Sequence, residues 1–191
     1  MRQVTVETHI SAPREDVYDF VADLAARPAY TDHYLEDYRL ARVDPVGKGA
    51  AARFKLRGQW AELSIKDADR PRRVVEEIRW GRRARNRSVA VYDFSPESGR
   101  TTRVELTMLS EPATVIDRLH EFGAARWMKR NAKIALERLR MSFEEPPGKP
   151  LARATVAGYE PAKAARFGAA TGMDPARRSE LGAASPRELG Q

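Results

Sequence analysis

Val4-Thr-Val-Glu-Thr-His-Ile-Ser-Ala-Pro-Arg-Glu-Asp-Val-Tyr-Asp-Phe-Val-Ala-Asp23 is the stretch whose reading decides the fold. Val4, Val6 and Thr8 alternate with Thr5, Glu7 and His9, which is the period of a half-buried strand. Ser11-Ala-Pro13 then closes the strand and opens a helix. Pro13 suits the first helical position, where its missing N–H costs nothing, and Glu15 and Asp16 complement the helix dipole in the first turn. Val17, Phe20, Val21 and Leu24 recur at helical spacing with Tyr18 beside them. Pro28 interrupts that pattern, and residues 29–35 read as a short second helix or an ordered loop.

Downstream the period changes to two. Strands are expected near 37–44, 50–57, 59–67, 73–80, 87–95 and 101–110, which with the first makes seven. The separators carry turn chemistry: Pro45-Val-Gly-Lys-Gly49, Gly58, Asp67-Ala-Asp-Arg-Pro71, Gly81 and Ser95-Pro-Glu-Ser-Gly99. Connections this short join antiparallel neighbours in a meander. Alternation assigns Ala52, Phe54 and Leu56 to an inner face, and likewise Ala61, Leu63 and Ile65, and Val104, Leu106 and Met108. On 73–80 the face with Val74, Ile78 and Trp80 also carries Glu76. From Pro112 to about Phe143 no proline intervenes, and a single long helix is predicted. Leu119, Phe122, Ala125, Met128, Ala132, Leu136 and Leu139 cover one broad face of it. Ile116, Gly123, Trp127 and Ile134 form a narrower stripe, explained either by burial in a curved sheet or by contact with another element or subunit.

Glu144-Glu-Pro-Pro-Gly-Lys-Pro150 is a helix stop and linker. The expected division is one domain over 1–143 and a Pro/Gly/Ala/Arg-rich tail over 144–191, too poor in large apolar groups to be mostly ordered. Within it, Arg153-Ala-Thr-Val-Ala-Gly-Tyr159 could dock as an extended segment. No apolar run reaches the roughly 18 residues of a membrane span. The absence of cysteine removes disulfides, thiolate nucleophiles and thiolate metal sites. Met1-Arg2-Gln3 leads into the first strand with no apolar signal core, so a cytoplasmic location is expected.

The net charge is +7, and much of the excess lies in one run. Arg70, Arg72, Arg73, Arg79, Arg82, Arg83, Arg85 and Arg87 face only Glu76 and Glu77. This run reads as a solvated basic hairpin surface or as an anion-binding one, an anionic membrane surface being the partner considered. Only Trp80 interrupts it with an aromatic ring, so stacking recognition of nucleic acid is not expected.

The opening stretch resembles the START-like, helix-grip superfamily (SRPBCC), nearest its polyketide cyclase/dehydrase and lipid-transport branch. That branch shows an alternating strand followed by the pattern I-x-A-P-x-E-x-V-[YFW]-x-[FL]-[VL]-x-D. Ile10, Ala12, Pro13, Glu15, Val17, Tyr18, Phe20, Val21 and Asp23 match it in order. Val43-Asp-Pro-Val-Gly-Lys-Gly49, Arg73–Trp80 and Thr101–Leu106 look like later loop and strand segments, so the resemblance covers residues 2–143. It implies an α+β fold in which a seven-stranded antiparallel sheet wraps the long C-terminal helix and encloses a tunnel. It also implies binding or carriage of a small hydrophobic molecule (a lipid, an isoprenoid quinone or a polyketide-like aromatic). The alternative is a cyclase or dehydratase acting through polar groups in the same cavity.

For ligand binding the expected lining is Phe54, Leu63, Ile65, Glu76, Trp80, Tyr92, Leu106, Met108, Leu119 and Phe122, with one or two interior polar groups to orient the ligand. For catalysis the polar candidates are Tyr30, His33 and Tyr34 at the mouth, and Glu76, Tyr92, His120 and Arg126 along the walls. No spacing selects one set, and no catalytic residue is assigned. His9, His33 and His120 are too scattered for a metal site, and Gly47-Lys-Gly49 precedes a strand rather than a helix, so it is no phosphate loop. No cofactor or metal is expected, and the oligomeric state is left open.

Overall fold

Seven antiparallel strands form where the turn chemistry places them. The computed structural model describes residues 2–81, 84–111, 115–145 and 151–164, with side chains described except at 2, 115–124, 152 and 159–164. The strands are β1 (Arg2–Ile10), β2 (Glu36–Leu40), β3 (Ala51–Leu56), β4 (Gln59–Asp69), β5 (Arg73–Trp80), β6 (Asn86–Pro96) and β7 (Thr102–Glu111). Their order across the sheet is β1-β7-β6-β5-β4-β3-β2. It is a meander into which β1 returns beside β7. Exposure alternates along β1 as expected, with Val6 and Ile10 buried and Gln3, Thr5, Glu7 and His9 outward.

Helix α1 (Arg14–Ala22) buries Val17, Tyr18, Phe20, Val21 and Ala22. Pro13 stands one position earlier than expected, as the N-cap: its φ of −58° is ready for a helix, and its carbonyl accepts the Val17 N–H at 3.1 Å. Helix α2 (Pro28–Thr31) realises the short second helix. Strand β2 ends at Leu40, short of the predicted 37–44, because residues 41–43 bend away from it. Its start is irregular, with Asp37 at a φ of 50° and a shift in the β2–β3 register between Glu36 and Arg39. Beyond Leu40 the chain turns away, leaving Val43 89% exposed.

Helix α3 (Val115–Glu144) packs against β1 and α2. It starts near the Arg2/Ser110 end of the β1–β7 pair and finishes at the other end, where Glu144 Oε1 accepts the Ser11 N–H at 3.0 Å. Ala132, Leu136 and Leu139, from the broad predicted face, are buried. Trp127, from the narrow stripe, meets the edge of Tyr34 with centroids 6.0 Å apart, so part of that stripe receives another element of the same chain.

Past the linker, β8 (Leu151–Ala154) and β9 (Tyr159–Ala164) form a hairpin. Ala154 donates to the Ala25 carbonyl at 2.8 Å, and Leu40 donates to Thr155 at 2.9 Å, so the hairpin borders the free edge of β2. Arg153 reaches Asp23 at 2.5 Å. Residues 165–191, the remainder of the expected disordered tail, lie outside the described residues. Replacing Arg153 by alanine is expected to lower the melting temperature by about 3 °C, because the arginine is partly solvated and the pair contributes only about 1 kcal/mol. A thermal melt checks this, and an unchanged midpoint would show that the contact adds nothing.

Of the basic run, Arg82 and Arg83 lie outside the described residues, and Arg70, Arg73, Arg79 and Arg87 are engaged in ion pairs. Arg70 makes two bonds of 2.7 Å to Asp19, and Arg73 one of 2.6 Å to Asp93. Arg79, Arg87 and Lys66 converge on Glu77 at 2.8, 2.6 and 3.0 Å.

Candidate functional site

The inner face of the sheet is ordered in rows by strand register. Val74, Tyr92, Leu106 and Val6 form one buried row. Ile65, Glu76, Ala90, Met108 and Val4 form the next, and Leu63, Ile78, Ser88 and Ser110 follow. Ala61 and Trp80 form the last row. Val74, Tyr92 and Leu106 are buried, whereas Met108, Ile78, Trp80 and the neighbouring Leu56 keep partial exposure and pack only against the margin of the core. An apolar wall thus runs inward from a partly open end toward a closed one.

A charged group stands at the closed end. Helix α1 stops at Asp23, whose Oδ1 accepts the Ala25 N–H at 2.8 Å in an Asx-type turn. Residues 23–27 then turn back, and Pro28 starts α2 with Arg27 as its N-cap. That turn aims Arg27 at the sheet. Its Nη1 donates to the Tyr92 hydroxyl at 2.9 Å, and its Nη2 donates to Glu76 and to the Val21 carbonyl, the latter at 3.2 Å. The guanidinium carbon lies 5.3 Å from the Tyr30 ring centroid and 5.4 Å from that of Tyr92. Both side chains of the ion pair are 2% exposed.

Burial raises the Glu76 carboxyl above its usual range, and Arg27 offsets this only in part. Burial is the largest influence on Arg27 and works against its charge, but Glu76 and the surrounding tyrosines Tyr30, Tyr92 and Tyr38 together outweigh it, and the guanidinium stays protonated. Burial also pushes up the phenols of Tyr30, Tyr34, Tyr38 and Tyr92, that of Tyr34 to about 12. All four therefore remain hydrogen-bond donors at neutral pH. Tyr38 spends its proton on the Leu24 carbonyl at 3.0 Å. The Tyr30 hydroxyl and Arg27 Nε are buried and have no hydrogen-bond partner among the described residues. Two donors with nothing to donate to are costly in an apolar interior, and an acceptor oxygen would satisfy them.

Of the residues expected to line a cavity, Glu76 and Tyr92 come together at this cluster. Phe54, Leu63, Ile65 and Leu106 are core, Phe54 stacking on Tyr38 with centroids 5.9 Å apart. Trp80 and Met108 lie on the partly open part of the wall. The side chains of Leu119, Phe122 and His120 lie outside the described residues. Tyr30 belongs to the cluster; His33 and Tyr34 pack together beside it, rings 4.7 Å apart, and Arg126 is exposed. His33 is held low, first by burial and then by Arg138. Arg27 was missed. Its signal is a lone cation in Leu24-Ala-Ala-Arg-Pro-Ala-Tyr30, matched by a lone carboxylate on the apolar face of 73–80. No metal-binding group of three or more His, Asp or Glu occurs among the described residues, nor any helix long and apolar enough to cross a membrane.

A family model described as polyketide cyclase/dehydrase and lipid transport matches residues 1–144. No curated protein matches the chain. Among solved structures, a structural-genomics protein from Nitrosospira multiformis is similar at 16% identity and a TM-score of 0.58, covering 75% of this chain and 97% of its own. TTHA0849 from Thermus thermophilus is similar at 22% identity and a TM-score of 0.54, over 73% of this chain and 94% of its own. DynU16, from the dynemicin biosynthetic locus, aligns at 14% identity and a TM-score of 0.55, over 75% of this chain and 47% of its own. At these identities the likeness concerns the fold.

Proposed function

The chain belongs to the polyketide cyclase/dehydrase and lipid transport family, and from that premise we propose that it binds a small hydrophobic molecule between the inner face of the sheet and α3, with an oxygen of the ligand held at the closed end. The observation that carries this reading is a pair of buried donors, Tyr30 Oη and Arg27 Nε, with no hydrogen-bond partner among the described residues. The half-buried Leu56, Ile78, Trp80 and Met108 supply the apolar contact, at about 25 cal/mol per Å² buried before the costs of association. Arg27 is neutralised by Glu76, so the site favours a carbonyl or phenol over a carboxylate. High phenol pKa values suit the tyrosines to donating hydrogen bonds rather than to taking protons.

A catalytic reading has one observation in its favour. A buried carboxyl with a raised pKa is the form a general base takes. Glu76, however, is committed to Arg27, and a base role requires that pair to open.

Fluorescence titration with menadione and with methylnaphthalene, two ligands of similar shape that differ in their oxygens, tests the binding reading. Menadione is expected to bind about tenfold more tightly, the worth of one well-made hydrogen bond. Tyr30→Phe is expected to reduce the difference, leaving only the Arg27 Nε donor, while the hydrocarbon's affinity stays unchanged. If neither ligand binds saturably and native mass spectrometry finds nothing co-purifying, the reading is wrong.

A further inference from the structure

The outer face of β2, β3 and β4 carries a cleft of about 770 Å³. Arg39, Arg42, Lys48, Arg53 and Lys66 line it, against one carboxylate, Glu62. Val156, half exposed in the turn between β8 and β9, forms an apolar wall. Arg39 and Arg53 stand directly opposite each other in the β2–β3 register. Like charges placed so repel unless something neutralises them. Arg53 leans on Glu62 at 3.3 Å and Lys66 on Glu77 at 3.0 Å. Arg39, Arg42 and Lys48 have no carboxylate within ion-pair distance among the described residues.

The unpaired cations are also positioned. The Arg39 guanidinium lies 5.2 Å from the Trp60 ring centroid, which fixes its place without cancelling its charge. Arg42 lies along the backbone of Gly49, close enough that a Cβ there would stand 3.4 Å from its Nη1. Several converging charges call for a ligand with more than one negative charge, and guanidinium forks match phosphate oxygens in pairs.

We propose that this cleft binds an organophosphate carrying at least two negative charges, with its organic part against Val156. Two sources share that chemistry: a soluble phosphate ester and the headgroup of an anionic phospholipid. The site does not depend on the inner cluster, and its failure leaves the inner reading untouched.

Calorimetric titration of the full chain with pyrophosphate, at about 50 mM salt and again at about 200 mM, tests the soluble source. Co-sedimentation with phosphatidylcholine vesicles, with and without phosphatidic acid, tests the lipid one. The double variant Arg39→Gln/Lys48→Gln should weaken binding about tenfold or more, whereas Arg72→Gln, an exposed cation outside the cleft, should change it less than about twofold. Circular dichroism confirms that both variants fold, since the replaced side chains are exposed. Binding in either arm that depends on Arg39 and Lys48 supports the site and identifies the source. Three results overturn it: no saturable binding in either arm at low salt, equal binding by the double variant, or binding of an oligonucleotide with which pyrophosphate does not compete.

Discussion

Replacing Arg27 by methionine is expected to lower the melting temperature by about 10 °C at neutral pH, and by clearly less in acid. The variant leaves the Glu76 carboxylate buried without its partner, which costs about 3–5 kcal/mol, and in a domain of this size each kcal/mol moves the midpoint by about 2–4 °C. The pH dependence follows from the sign of the Glu76 shift. Its folded pKa is already raised, so its contribution is fully present below the unfolded pKa and is lost as pH rises through the folded value. Removing Arg27 removes what holds that pKa down, so it climbs further and the neutral-pH penalty grows. Acid relieves it by protonating Glu76. The converse variant, Glu76→Gln, strands a guanidinium that cannot lose its proton, and acid brings no relief. The double replacement Arg27→Met/Glu76→Leu should melt closer to the native protein than either single change, because no uncompensated charge is left. A melt series from neutral pH into acid checks all three. An Arg27→Met protein that melts within about 2 °C of the native one would show that the pair is not buried as described.

The same cluster shows where sequence reading succeeds and where it stops. Glu76 could be placed indoors from Val74-Val-Glu76-Glu-Ile78-Arg-Trp80 alone, because a strand has only two faces and its neighbours fix which one is wet. The turns Asp67–Pro71 and Ser95–Gly99 fixed the strand count for the same local reason. Arg27 lies in the non-periodic link between two helices. Its direction depends on the Asp23 turn, on Pro28 and on the docking of β8 against Ala25, and no period encodes these. The motif running from Ile10 to Asp23 identifies the family but contributes packing and capping, so it ends just before the residue that gives the interior its charge. The irregularity at Asp37 shifts the β2–β3 register without a glycine or proline to announce it.

Glu77 is expected to behave in the opposite sense to its neighbour. It lies on the outer face of β5, only 4% exposed, with Arg79, Arg87 and Lys66 around it. The Arg79 hydrogen bond lowers its carboxyl most, and despite burial the pKa falls from 4.5 to about 2. A depressed folded pKa gives stability that is present above the unfolded pKa and is lost as pH falls through the folded one, so the window runs from 4.5 down to about 2. The three partners are about half exposed and screened by water, which reduces the contribution to about 2 kcal/mol. Replacing Glu77 by alanine should therefore lower the melting temperature by about 5 °C near neutral pH. It should do so by less in high salt, and the gap to the native protein should close as pH drops through that window. Adjacent glutamates on one strand thus carry opposite pKa shifts, and both deficits shrink in acid for different reasons: that of Arg27→Met because the inner carboxyl is protonated, and that of Glu77→Ala because the native protein loses its outer carboxylate. An Arg27→Met deficit that persists unchanged in acid would show that it does not come from a stranded Glu76 carboxylate, and a Glu77→Ala deficit that widens there would show that the Glu77 carboxyl is not held below its ordinary range.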